Sequence, residues 1–164
     1  SPFFGEKRDN EQIVEICEKI KKIDNGYYWA YFYAQEAYEK MGKAQEVVDT
    51  YYEAKKIYAG MPEIYERAAR AFWAYSQFRE TKNIIAQAEE AGINSYYLRL
   101  RKLEMMRREA EDEDAMKAVD EYVGKLIEEM EEKGDAQEDL LSDAYLQRAF
   151  THDNGYAREF RQVD

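Results

Sequence analysis

One property constrains the fold of this chain more than any other: it matches itself when slid by 34 residues. At that shift Tyr31 falls on Tyr65, Ala34 on Ala68, Ala37 on Ala71, Tyr38 on Phe72 and Ala54 on Ala88. The register runs on in both directions. Ile13, Val47, Thr81 and Ala115 form one column; Cys17, Tyr51, Ile85 and Val119 form a second; Ile20, Ala54, Ala88 and Tyr122 form a third. A segment this short cannot bury its own apolar face, so successive segments must stack to cover it.

Each segment reads as a pair of helices. Gly and Pro are scarce, at 8 and 2 copies, and no alternating β-branched run appears. Asp9 or Asn10 offers a cap for a helix reaching Ile23, and Asn25-Gly26 breaks it. Further helices are expected over 27–41, 44–59, 62–75, 78–91, 95–109, 115–133 and 135–150. Pro62 suits a first turn, Ser95 a cap, and Asp135 with Glu138 a capping box. The fold class is all-α, with about seven or eight helices.

Composition narrows the function. Hydrophobic residues make up 45% and charged residues 36%, as in a globular chain. The net charge of −11 opposes binding to nucleic acid or anionic lipid, and no apolar run is long enough to insert into a membrane. A single Cys leaves no internal disulfide and predicts a reducing, cytoplasmic setting. One Cys and one His supply no zinc site, the acidic run 109–114 lacks calcium-loop spacing, and no Gly-rich loop cradles a phosphate. Neither Cys17, placed in an apolar column, nor His152, placed in a turn, has the partners of a nucleophile. No enzyme activity, metal or cofactor is expected. The chain opens on Ser1 without Met, which predicts a segment cut from a longer protein.

A helix pair recurring every 34 residues resembles the tetratricopeptide repeat. Tyr31, Ala34, Tyr38, Gly42, Val47, Tyr51 and Ala54 fit its pattern, as do Tyr65, Ala68, Ala69, Phe72, Phe78, Ile85 and Ala88. The resemblance implies a right-handed α-solenoid of antiparallel helix pairs in one domain over 1–164. It would hold a partial repeat at 9–26, repeats at about 27–60, 61–94 and 95–133, and a C-terminal cap at 135–164. Gln35 departs from the pattern by standing where a small residue is expected. Arg99 and Lys102 depart too, and predict a rotated helix that buries Tyr96, Leu100, Leu103 and Met106. Phe3 and Phe4 are expected to fold over the first helix, and a new element to begin at Tyr156.

Seven of the twelve residues from Tyr27 to Tyr38 are aromatic. At 100° per residue Tyr27, Tyr31, Ala34 and Tyr38 share a core stripe, while Trp29 and Phe32 fall outside it. The resemblance implies a concave groove lined by the first helix of each pair. Carried over by position, the groove receives Trp29, Phe32, Glu36 and Glu39, then Glu63, Glu66, Arg70 and Trp73, then Tyr97, Leu100, Glu104 and Arg107. Trp and Arg are the types that carry interface energy. The related repeats that grip a peptide's terminal carboxylate are a poor match. Phe32, Glu36, Glu63, Arg67, Tyr97 and Arg101 stand at those positions, with carboxylates where donors are needed.

The expected function is a protein-interaction scaffold that binds a peptide or protein segment in this groove. Loss of Trp73 or Phe32 should then weaken binding without lowering the melting temperature. Two other readings remain open at this point: a non-catalytic sensor for a small ligand or signalling peptide, and a structural module that forms homodimers through its terminal repeats.

Overall fold

The computed structural model describes residues 2–152, with side chains from residue 5 onward. The expectations for the Phe3 and Phe4 rings and for Tyr156 fall outside that description. Among the described residues there are eight helices and no strand: α1 Pro2–Ile23, α2 Tyr28–Lys40, α3 Ala44–Ile57, α4 Pro62–Ala74, α5 Phe78–Glu90, α6 Tyr96–Glu109, α7 Glu113–Lys133 and α8 Glu138–Ala149. They group into two compact units, one ending at Asn94 and the other starting at Ser95. None of these helices is long and apolar enough to cross a membrane.

In the first unit each helix packs on the one that follows it, and α2 also touches α4. The 34-residue interval is carried into the structure. Helices α2 and α4 begin and end 34 residues apart, and α3 and α5 begin 34 residues apart. The Tyr31 hydroxyl donates to the Asn25 carbonyl at 2.6 Å, and the Tyr65 hydroxyl donates to the Ala59 carbonyl at 2.7 Å. Each tyrosine thus ties its helix to the turn before it. The turns after α2 and α4 match as well: the Lys43 amide donates to Tyr38 at 2.9 Å and the Gln77 amide to Phe72 at 3.0 Å. Both turns need a left-handed residue. Gly42 takes φ 71° without a Cβ in the way, whereas Ser76 is held at φ 56° at the equivalent place.

The predicted columns are mostly buried in this unit. Cys17, Tyr51 and Ile85 are buried, as are Ala54, Ala88, Val47 and Thr81. Ile20 packs half-buried against Cys17, Ala30 and Ala34. Ile13 departs from its column and stays exposed on the edge helix. Burial pushes the Cys17 thiol up, as expected for a packing residue and not for a nucleophile. The start of α1 corrects one expectation. Asn10 does not cap a helix; its side chain donates back to the Glu6 carbonyl at 2.9 Å from inside a helix already under way.

The second unit has its own core: Leu100 and Leu103 of α6, six residues of α7 from Met116 to Met130, and Ala144 of α8. Tyr96 and Met106, expected to be buried with Leu100 and Leu103, pack against it only half-buried, and Leu98 and Met105, outside the expected set, are buried. Leu100 is fully buried here, which removes it from the groove assignment. Ser95 caps α6 by accepting from the Leu98 amide, and Asp112 caps α7 by accepting from Ala115 at 2.7 Å. Gly134, at φ 61°, ends α7. Asp135 makes no capping box; it accepts from the Tyr96 hydroxyl at 2.7 Å, and α8 begins at Glu138 with no side-chain cap.

Candidate functional site

The aromatic run of α2 forms a chain of rings in contact. Trp29 meets Phe32 at 5.3 Å and Tyr33 at 5.9 Å between centroids, and Phe32 meets Tyr33 edge-on at 5.2 Å. Edge-to-face pairs of this kind add modestly to the energy of burial. The rings differ in what they offer a partner. Trp29 is 43% exposed and Tyr33 50%, but Phe32 only 9%.

Phe32 is covered by Arg67 of α4, whose guanidinium lies 4.4 Å from the ring centroid. Arg67 donates to the Phe32 carbonyl at 3.2 Å, to Gln35 Oε1 at 3.3 Å and to Glu36 Oε2 at 3.0 Å. Gln35 is fully buried, and its Nε2 donates to the Ile64 carbonyl at 2.9 Å. The residue that departs from the small-residue pattern is therefore a polar tie between parallel neighbours. Burial pulls the Arg67 pKa below the usual arginine value, against the pull of the Glu36 and Glu39 charges. One turn on, Arg70 grips Glu39 with two donors, at 2.9 and 3.2 Å. Glu36 to Arg67 and Glu39 to Arg70 are the same step of 31 residues, so the two pairs form a ladder along α2 and α4. Trp73, at the far end of α4, is half-buried against Phe78 at 4.9 Å.

At the near end, Tyr28 in the first turn of α2 lies close enough to Glu63 in the first turn of α4 to feel its charge. Tyr28 stands edge-on to Tyr58 at 5.6 Å and to Trp29 at 5.5 Å. The Tyr58 ring lies back over Gly60, where a Cβ would come within 2.7 Å of its hydroxyl. Tyr28 Oη and Glu63 Oε2 are buried and have no hydrogen-bond partner among the described residues. Burial first, and then the charge of Glu63, push the Tyr28 hydroxyl up to about 12.

Of the predicted site residues, Trp29, Phe32, Glu36 and Arg70 come together on the α2–α4 face, with Trp73 at its end. Tyr97 and Arg107 belong to the second unit. There the Arg101 guanidinium lies 5.2 Å from the Tyr97 ring and pairs with Asp143 at 2.7 Å and Glu104 at 2.9 Å. Arg107 donates to Gln147 Oε1 and lies 5.5 Å from the Phe150 ring. Gln147 in turn donates to Glu104 and to Asp143. Burial raises the Glu104 pKa; Arg101 opposes that and Asp143 adds to it. Arg67 and Arg101, the two arginines at carboxylate-gripping positions, are thus both engaged by internal partners. Sequence reasoning passed over Tyr28, Tyr58 and the buried role of Gln35. Gln35 alone carried a signal, as a large polar residue in a place meant for a small one.

No group of three or more His, Cys, Asp or Glu side chains among the described residues is placed to hold a metal ion. No family model, no curated protein and no solved structure matches this chain.

Proposed function

We propose that the chain is a tetratricopeptide-like α-solenoid that works as a protein-interaction scaffold, with the α2–α4 face as its peptide-binding groove. Three recurrences at 34 residues support the solenoid: the helix bounds, the tyrosine-to-carbonyl ties and the left-handed turns. The binding role rests on one observation. Glu36 with Arg67 and Glu39 with Arg70 are paired across this face, while Trp29 and Tyr33 stand half-exposed beside them. Exposed rings on a scaffold fixed by buried ties are the groups that anchor a partner at low ordering cost. With a net charge of −11, the favoured partner segment is apolar or aromatic with basic residues.

Phe32 changes role in this reading. It is a packing residue, and Phe32→Ala should cost stability on the order of 3–5 kcal/mol. Trp29 takes its place as the binding residue to test, with Trp73 kept as a second. The experiment places a photo-crosslinking residue at Tyr33, with Lys22 on α1 as an exposed control. Crosslinks to a partner from position 33, absent from position 22 and lost in Trp29→Ala at unchanged Tm, support the reading. Equal crosslinking from both positions overturns it.

A further inference from the structure

We propose that the buried Tyr28–Glu63 pair, between the first turns of α2 and α4, becomes a subsite for one lysine or arginine side chain when Tyr58 turns aside, with the cation held by Glu63 and Tyr28 and walled by aromatic rings. This deepens the peptide-groove reading and rests on it.

Tyr28 Oη and Glu63 Oε2 are buried oxygens with no hydrogen-bond partner among the described residues. Leaving such atoms unsatisfied is costly, and most so for a carboxylate. The ligand that suits the site is one that supplies donors. Glu63 only accepts, and the Tyr28 oxygen can accept as well. An apolar side chain would leave both oxygens as they are, and a carboxylate would be repelled by Glu63. An ammonium or guanidinium carries several N–H groups and reaches both at once. The protein's own nearby cation, Arg67, acts on both groups through its charge, but its N–H donors go to Phe32, Gln35 and Glu36.

The walls agree with that choice. Trp29 and Tyr58 both meet the Tyr28 ring edge-on, and ring faces attract cations. Tyr58 is 53% exposed and its ring is seated over Gly60, so a rotamer change can turn it aside and admit the stem of a long side chain. The negative field of the chain brings cations toward the site.

The proposal has a signature that simple packing lacks, because stability and binding should move in opposite directions. Tyr28→Phe removes a buried hydroxyl that has no protein partner, so it should raise Tm while weakening the ligand. Glu63→Gln should weaken the ligand about tenfold or more without lowering Tm.

The chain has two tryptophans, one against Tyr28 and one at the far end of α4, so its indole N–H signals in a nitrogen-15 correlation spectrum form a probe and an internal control. The titrants are the methylamides of N-acetyl-lysine, N-acetyl-arginine, N-acetyl-norleucine and N-acetyl-glutamate. The expected result is a saturable shift of Trp29 with the two cations alone, a still Trp73, and weaker binding in Glu63→Gln. A shift that norleucine produces equally, no shift with either cation, or a lower Tm in Tyr28→Phe overturns the subsite. If the subsite fails while crosslinking from position 33 persists, the scaffold reading stands and only its cation specificity is lost.

Discussion

Replacing Arg67 with Met separates the two things this side chain does. Methionine keeps an unbranched apolar stem beside the Phe32 ring but gives up the guanidinium that lies 4.4 Å from the ring centroid. It removes the donors to the Phe32 carbonyl, to Gln35 and to Glu36. These losses are unequal. The Glu36 side chain is 37% exposed and can be solvated once its partner has gone. The Phe32 carbonyl sits within α2 and keeps a helical partner. Gln35 is fully buried, so its Oε1 is left without a donor. One lost net hydrogen bond and one orphaned buried acceptor together cost about 2–3 kcal/mol. At about 4–8 °C per kcal/mol for a unit of this size, the Tm should fall by roughly 8–24 °C. Both tryptophans lie in the first unit, so urea unfolding followed by their fluorescence reports on that unit alone. Replacing both partners, as in Arg67→Met with Gln35→Met, should recover most of the loss, because no buried polar atom is then stranded. If the single replacement is as stable as the parent, or if the pair is merely additive, the buried tie is not what joins α2 to α4.

Ser76→Gly should stabilise the first unit by about 0.5–1 kcal/mol, because relief of the left-handed strain outweighs the added freedom of the unfolded chain; an unchanged urea midpoint would refute the strain. In the second unit, burial makes the folded Glu104 carboxyl hold its proton more tightly than the unfolded chain does. Stability should therefore fall as pH rises from the ordinary 4.5 upward through the folded value. Glu104→Gln should flatten that slope and leave the Tm at pH 7 equal or higher in melts followed by circular dichroism. A lower Tm at pH 7 would mean that the Arg101 pair outweighs the burial of Glu104.

The helices were legible where large and small residues alternate at fixed places. The bounds of α2 and α4 lie within a residue or so of those read from the spacing, since Tyr31, Ala34 and Tyr38 and their copies leave little choice of face. The start of α1 was not legible, because an Asn before an apolar run looks the same whether it caps a helix or bonds back along one. Ile13 was read as core from its column, but α1 lies at the edge of the unit and leaves this side chain 38% exposed. At the candidate site, helical angles gave the direction of Phe32 and not its cover. The cover is a long arginine from a helix 35 residues on, and no local pattern encodes it. The unpartnered oxygens of Tyr28 and Glu63 were hidden for the same reason: these residues come near each other only through the pairing of α2 with α4.

The Gln35–Arg67 tie has a consequence for a chain built from look-alike parts. Such a chain can confuse one module with another and settle a helix beside the wrong neighbour. Counted on by 34, Gln35 becomes Ala69, whereas Arg67 becomes Arg101 and, counted back, Tyr33. The guanidinium thus recurs along the chain and the buried amide does not. Gln35 therefore acts as the address, marking α2 as the helix meant to receive an arginine, and its replacement by alanine would make that junction resemble its imitations.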